Sequence, residues 1–207
     1  PISFASTDSA TFFFSGINNG TYYDASTLIA NNKEYLREEV SEFVYALTGG
    51  FPLNNGTTYH GLKQRGELQP GQTLLVLGAG GGLGITAVHV GKAMGAKVIA
   101  AASSQDKLDL CKKEGADETI LYQRDMDRDL QKKFSNDIKE ASGGGVDMIY
   151  DLVGGDYAEP SLRAIKRHGK YLVIGFTAGI PKMPLNLTLL KECQIIRVFW
   201  GQFAGME

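Results

Sequence analysis

Apolar and polar positions fall into alternating blocks along most of this chain. Leu74-Leu75-Val76-Leu77 is an unbroken apolar run, which predicts a strand buried on both faces. It stops at Gly78-Ala79-Gly80-Gly81-Gly82-Leu83-Gly84. Beyond the glycines, Ile85, Val88, Val90 and Ala93 return at helical spacing, which predicts a helix from Gly82 to about Met94 with these residues on its inner side. A second apolar run, Lys97-Val98-Ile99-Ala100-Ala101, follows at once.

The alternation continues to the end of the chain. Gln105–Glu114 reads as a helix stopped by Gly115, and Glu118–Tyr122 as a third strand. Asp127–Ala141 is a charged amphipathic helix, closed by Gly143-Gly144-Gly145. Val146–Val153 is a fourth strand ending at Gly154-Gly155. Pro160–Ile165 is helical, with proline in the tolerated first turn, Lys170–Phe176 is a fifth strand and Ile195–Phe199 a sixth. No closing helix is predicted after that last run. Upstream, Glu38–Leu47 has amphipathic spacing, Asn54-Asn55-Gly56 reads as a turn, and Thr57–Leu62 opens a helix with threonine as its cap. Pro1–Arg37 is rich in Ser, Thr, Asn and aromatics and has no such pattern.

Six strands separated by helices predict an α/β fold, a doubly wound parallel sheet in the order 3-2-1-4-5-6. Residues 1–45 are left unassigned, and 46–207 form the predicted domain, incomplete at its C-terminal end. In such sheets a ligand lies at the carboxyl ends of the strands, across the switch between strands one and four. That rule gathers Gly78–Gly84, Ser103-Ser104, Tyr122, Val153-Gly154 and Gly175-Phe176 on one rim.

Strand, glycine turn, helix and strand within about 30 residues is the setting in which a glycine fingerprint binds a dinucleotide. Ala79, Gly81 and Gly84 occupy the three fingerprint positions, and Gly80, Gly82 and Leu83 lie between them. Gly81 would let a diphosphate approach the N–H groups of the helix start, and Gly84 would let the helix lie close on the strand. NAD-specific sites carry an acid at the end of the second strand. Here that place reads Ala102-Ser103-Ser104, followed by Lys107. Two hydroxyls and a cation suit a 2′-phosphate, so NADPH is the expected cofactor. A capping serine and a solvated lysine explain the same residues, and both readings hold together because a cap is also where a phosphate would sit.

Composition narrows the class. The chain has 207 residues, 43% of them hydrophobic, with a net charge of −2. That balance gives no electrostatic footprint for nucleic acid or an anionic membrane. No run approaches the 18 apolar residues of a membrane span. Cys111 and Cys193 are far apart, and with His60, His89 and His168 they make no zinc pattern, so no metal site is expected. Lone thiols suit a reducing compartment, the cytoplasm or the mitochondrion.

The stretches LLVLGAGGGLG, AVHVGKAMGAKVIAAASSQDKLDLCKKEGADETILY, VDMIYDLVGG, GKYLVIGF and GFTAGIPKMPLNLTLLKECQIIRVFWG together resemble the cofactor domain of the medium-chain dehydrogenase/reductase superfamily. More narrowly they resemble its zinc-free quinone oxidoreductase branch, the zeta-crystallin-like enzymes, from about Gly56 to Gly201. The resemblance implies a Rossmann fold and NADPH-dependent reduction of a quinone or an α,β-unsaturated carbonyl. It implies a diphosphate on Ala79–Gly84, a 2′-phosphate near Ser103, Ser104 and Lys107, and Tyr122 near the adenosine end. By the same resemblance Thr57 lies near the nicotinamide, Gly175 and Phe176 back its ring, and the protein is a homodimer. It assigns no catalytic acid or base. Relatives carry a preceding GroES-like substrate domain that Pro1–Arg37 does not resemble, so the chain reads as a fragment. A non-catalytic NADPH-binding protein with a structural or regulatory role is the alternative.

Overall fold

The structure, a computed structural model, describes residues 13–15, 22–24 and 53–203. The chain divides into two units, Pro1–Gly50 and Phe51–Glu207. In the first, Phe13–Ser15 and Tyr22–Asp24 pair as a short antiparallel ribbon. The expected helix over Glu38–Leu47 lies outside the described residues.

The second unit is built on a six-stranded sheet. Its strands are β1 (Thr73–Leu77), β2 (Lys97–Ala102), β3 (Glu118–Leu121), β4 (Val146–Asp151), β5 (Ile165–Val173) and β6 (Gln194–Arg197). Their order is β3-β2-β1-β4-β5-β6, and every neighbouring pair is parallel, as the sequence predicts. β1 is central and all five of its residues are buried. Alternate residues serve opposite faces. Leu75, Leu77, Ile99 and Ile149 meet Phe134, Ile138 and Leu162 on one side. Leu74, Val76, Val98 and Tyr150 meet Ala87, Val88 and Leu62 on the other. A strand covered on both faces must be apolar at every position, and this is why β1 shows no alternation.

The crossover helices are α1 (Gly82–Ala93), α2 (Gln105–Lys113), α3 (Arg128–Ser142), α4 (Ala158–Arg163) and α5 (Leu185–Lys191), with a final turn α6 (Trp200–Phe203). Asp127 Oδ1 caps α3 by accepting from the Leu130 N–H at 2.8 Å, and Gly143 ends it in the left-handed region at φ 73°. Among the described residues no helix is long and apolar enough to cross a membrane.

Several expectations are corrected. The inner face of α1 is Gly84, Ala87, Val88 and Gly91, while Ala93 is exposed. Val88 is buried as expected and Ile85 and Val90 pack against the core, but a helix lying this close to a sheet also presents small residues to it, so Gly84, Ala87 and Gly91 complete the inner face. Residues 53–59 are helical and continue into a π-helix, His60–Arg65. The Asn54-Asn55-Gly56 turn is therefore absent, and Thr57 lies inside the helix instead of capping it. β4 stops at Asp151, two residues short of the predicted end, because the carboxylate turns the backbone there. β5 starts at Ile165 and ends at Val173, and its pairing with β4 shifts register between Val146 and Met148. α4 begins at Ala158 and ends at Arg163. The sequence reading named neither α5 nor α6.

Asp117 ties α1 to β2. Its carboxylate accepts from Lys92 Nζ at 2.8 and 2.9 Å and from the Val98 N–H at 2.7 Å. Burial opposes the charge, but these donors outweigh it and hold the carboxyl below its usual range. A lowered native value means the contribution is present above the ordinary 3.8 and is lost as pH falls through the native value. Both side chains are about one-third exposed, so Asp117→Asn is expected to cost only about 1 kcal/mol at neutral pH. Thermal unfolding at neutral and strongly acidic pH checks this: the gap between the two proteins should close on acidification.

Candidate dinucleotide site

The loop between β1 and α1 is pinned before it reaches the helix. The Gly78 and Ala79 N–H groups both donate to the Ala101 carbonyl of β2, at 3.1 and 3.0 Å, and Gly81 N–H donates to Gly78 O at 3.2 Å. Gly78 turns the chain off the strand at φ 75°. Gly81 is the N-cap of α1 in extended conformation and has no side chain to cap it. The N–H groups of Gly82, Leu83 and Gly84 belong to the first turn, where no intrahelical acceptor exists. They converge with the positive end of the helix dipole.

The glycines of this loop have different tasks. A Cβ on Gly84 would stand 2.3 Å from Gly78 O and 2.6 Å from Ala79 Cα, so only glycine allows the helix to pack here. A Cβ on Gly81 would meet nothing nearer than Gly78 O at 3.6 Å. The space around that position is otherwise open to 4 Å. Gly80 is covered by the Lys107 stem, whose Cβ, Cγ and Cδ lie 2.6–2.7 Å from where a Cβ would be. Lys107, from the first turn of α2, is thereby held against the glycine loop.

Asn54 was not singled out by the sequence. Its Nδ2 lies 3.1 Å from the Cβ position of Gly82, which places an amide donor beside the mouth of α1. Asn54 sits one turn before Thr57 on the 53–65 helix, and only the misread turn concealed it. Thr57 itself is buried, and the neighbouring Thr58 Oγ1 is 3.2 Å from the Tyr150 hydroxyl.

A second helix mouth opens next to the first. Ser104 is the N-cap of α2 in extended conformation, but its side chain makes no capping hydrogen bond. The expected serine cap is thus a cap position with its hydroxyl unused. Ser103 and Ser104 are half-buried, and Lys107 is exposed, as is Asp106 in the same turn.

Across the switch point the rim is organised by Asp151, another residue not picked out in advance. It is 2% exposed. Its Oδ1 accepts from the Val153 and Gly154 N–H groups at 2.8 and 2.9 Å, and its Oδ2 from the Tyr171 hydroxyl at 2.5 Å. Its carbonyl accepts from Ile174 and Gly175 at 2.9 and 3.1 Å. One aspartate therefore fixes both glycine-ended turns. Burial pushes its carboxyl up, against those three side-chain bonds, and pushes the Tyr171 hydroxyl well up too. Val153 Cγ2 reaches within 3.0 Å of the Gly78 Cβ position, and Phe176 Cδ1 within 3.2 Å of that of Gly154. Val153, Gly154, Gly175 and Phe176 thus stand together beside the glycine loop, with Phe176 49% exposed.

Tyr122 is only 9% exposed. Its ring packs on Tyr157 at 4.7 Å and Phe134 at 5.8 Å between centroids, and burial pushes its hydroxyl up to about 12. It offers a wall at the end of β3, not an ionisable group. Among the described residues no group of three or more His, Cys, Asp or Glu could hold a metal ion.

Known proteins match this arrangement. The family model described as zinc-binding dehydrogenase covers residues 82–207. A quinone oxidoreductase-like protein 2 homolog from Nematostella vectensis is 36% identical over 163 residues, which is 78% of this chain and 43% of that protein. An acryloyl-coenzyme A reductase from Sulfurisphaera tokodaii is 33% identical over 147 residues, 70% of this chain and 40% of its own length. The quinone oxidoreductase of Thermus thermophilus, whose structures include a complex with NADPH, superposes with a TM-score of 0.63 at 30% identity, covering 75% of this chain and 47% of that one. The chain thus spans less than half the length of these relatives. Fold, glycine loop and sequence agree, and the chain belongs to the zinc-free quinone oxidoreductase branch of the medium-chain dehydrogenase/reductase superfamily.

Proposed function

We propose that this chain is the cofactor-binding part of an NADPH-dependent oxidoreductase that passes hydride to a quinone or an α,β-unsaturated carbonyl. The observation that carries the reading is the mouth of α1, which is open where a Gly81 Cβ would stand and is flanked by Lys107. NADPH would supply the hydride, and the protein supplies position and a dry slot.

The first-turn N–H groups of Gly82, Leu83 and Gly84 hold the diphosphate, with Asn54 donating from the side. Ala79 and Gly80 shape the floor of that cradle. Ser103, Ser104 and Lys107 take the 2′-phosphate at the uncapped start of α2. Val153, Gly154, Gly175 and Phe176 form a flat slot for the nicotinamide, kept rigid by Asp151. Tyr122 and Thr57 serve as walls. A quinone or enone accepts hydride without a metal at its oxygen, so no metal is required. A homodimer is part of the proposal; its support is the edge position of β6 among the described residues, where Ile195 is exposed.

Lys107→Ala should weaken NADPH binding by about 1–3 kcal/mol, the scale of a hydrogen bond to a charged group, and leave NADH nearly unchanged. Calorimetric titration with each cofactor checks this, and equal losses would remove Lys107 from 2′-phosphate recognition. The activity is tested by following NADPH oxidation with 1,4-naphthoquinone, which should accelerate it. The alternative is a non-catalytic NADPH-binding protein with a structural or regulatory role. If NADPH binds and no acceptor speeds its oxidation, that reading replaces the enzymatic one for this chain.

A further inference from the structure

On the outer surface of α3 and α4 lies a groove of about 640 Å³ that shares no residue with the dinucleotide site. Arg128, Lys132, Ser135 and Lys139 recur at helical spacing along one face of α3, and Arg163 and Glu159 of α4 close the opposite wall. The volume falls in the range of small-molecule sites.

Two features separate this groove from an ordinary solvated helix face. The first is charge. Elsewhere on α3 the cation Lys133 pairs with Asp137 at 2.7 Å. Among the described residues, Arg128, Lys132 and Lys139 have no salt bridge. The single carboxylate in the groove, Glu159, is already engaged by Arg163 Nε and Nη2, at 2.9 and 2.5 Å. Four cations thus face one acid. Lys139 also acts on Lys191, which does not line the groove: burial first, and then Lys139, depress that ammonium. The second feature is Ser135. It is 4% exposed, lines the groove, and its Oγ has no hydrogen-bond partner. A buried hydroxyl left unpaired is costly in a folded protein and calls for a ligand or another explanation.

We propose that this groove is a binding site for a small polyanion carrying two or more phosphate groups, with Arg128, Lys132, Lys139 and Arg163 neutralising it and the Ser135 hydroxyl donating to one phosphate oxygen. Three cations spaced along two to three turns of α3 suit several linked anionic groups better than one. Glu159 keeps the Arg163 guanidinium oriented and sets a limit on how much charge the wall can carry.

The test is calorimetric titration of inorganic tripolyphosphate into the chain held saturated with NADPH, which blocks the dinucleotide loop. One equivalent should bind, more weakly as salt rises. Arg128→Gln with Lys132→Gln should weaken it by about tenfold or more, and Ser135→Ala by about threefold to tenfold. Without ligand, Ser135→Ala should also raise the unfolding temperature, because it deletes an unpaired buried hydroxyl; a residue serving packing alone would not give both effects. The proposal is overturned if tripolyphosphate does not bind the NADPH-saturated chain, or if either variant binds it as well as the parent. It is also overturned if a polyglutamate peptide competes as strongly, since the groove would then be an unselective basic surface.

Discussion

Gly84→Ala is expected to destabilise the Phe51–Glu207 unit by about 3 kcal/mol, a drop of roughly 10 °C in unfolding temperature for a domain of this size. The new Cβ would stand 2.3 Å from Gly78 O and 2.6 Å from Ala79 Cα. Both are backbone atoms, and both belong to a loop anchored on the Ala101 carbonyl. They cannot yield as a flexible side chain would, so α1 must lift from the sheet. Gly81→Ala should behave in the opposite way. Its backbone, at φ −90° and ψ 169°, suits any residue, and the added methyl meets only Gly78 O at 3.6 Å. Stability should stay within about 0.5 kcal/mol of the parent. NADPH affinity should fall about tenfold or more, or at least about 1.4 kcal/mol, because the methyl occupies the cradle. Circular dichroism melts and calorimetry on the two variants separate the packing glycine from the binding glycine.

Asp151→Ala is the second large effect, about 4 kcal/mol of stability. Removing the carboxylate strands three donors, Val153 N–H, Gly154 N–H and the Tyr171 hydroxyl, each costing about 1–3 kcal/mol when left without an acceptor in the interior. Some of that is recovered if water enters. Asp151→Asn should cost only about 1 kcal/mol. Its amide oxygen can serve the two backbone donors, while the Tyr171 hydroxyl reverses and accepts from the amide nitrogen. The variants also differ in pH response. The native carboxyl is held above its ordinary value of 3.8, so the folded state binds the proton more tightly than the unfolded chain. The contribution of this group is therefore greatest below that ordinary value and declines as pH rises through the raised native one. Denaturant titrations across that range should show the parent losing ground to Asp151→Asn as pH rises.

The centre of the sheet was legible in the sequence because β1, β2 and β4 are covered on both faces. Continuous apolar runs such as Leu74–Leu77 cannot be solvated helix surface, and the glycines between β1 and α1 fix where the chain must turn. Helix faces were less legible. Gly84, Ala87 and Gly91 carry little hydrophobic bulk, yet they complete the inner face of α1, because proximity to the sheet selects for size. The 53–65 helix was misread for a related reason. Asn54-Asn55-Gly56 has the local chemistry of a turn, and the helix persists because its later residues His60, Gly61 and Leu62 are buried. That error hid Asn54. Asp151 was hidden differently, since an acid at the end of an apolar strand carries no periodic signal. Its role depends on turns that only the folded rim brings to it. Ser104 illustrates the reverse case: its cap position was visible, and the missing capping bond was not.

The central claim is that peptide N–H groups at the start of α1 hold the dinucleotide diphosphate. Amide proton–nitrogen spectra recorded while NADPH is titrated into the uniformly ¹⁵N-labelled chain test it most directly. The largest shift changes should fall on Gly81, Gly82, Leu83 and Gly84, with a second group at Ser104 and Gln105. NADPH binding that leaves the Gly81–Gly84 amides unmoved would contradict the account.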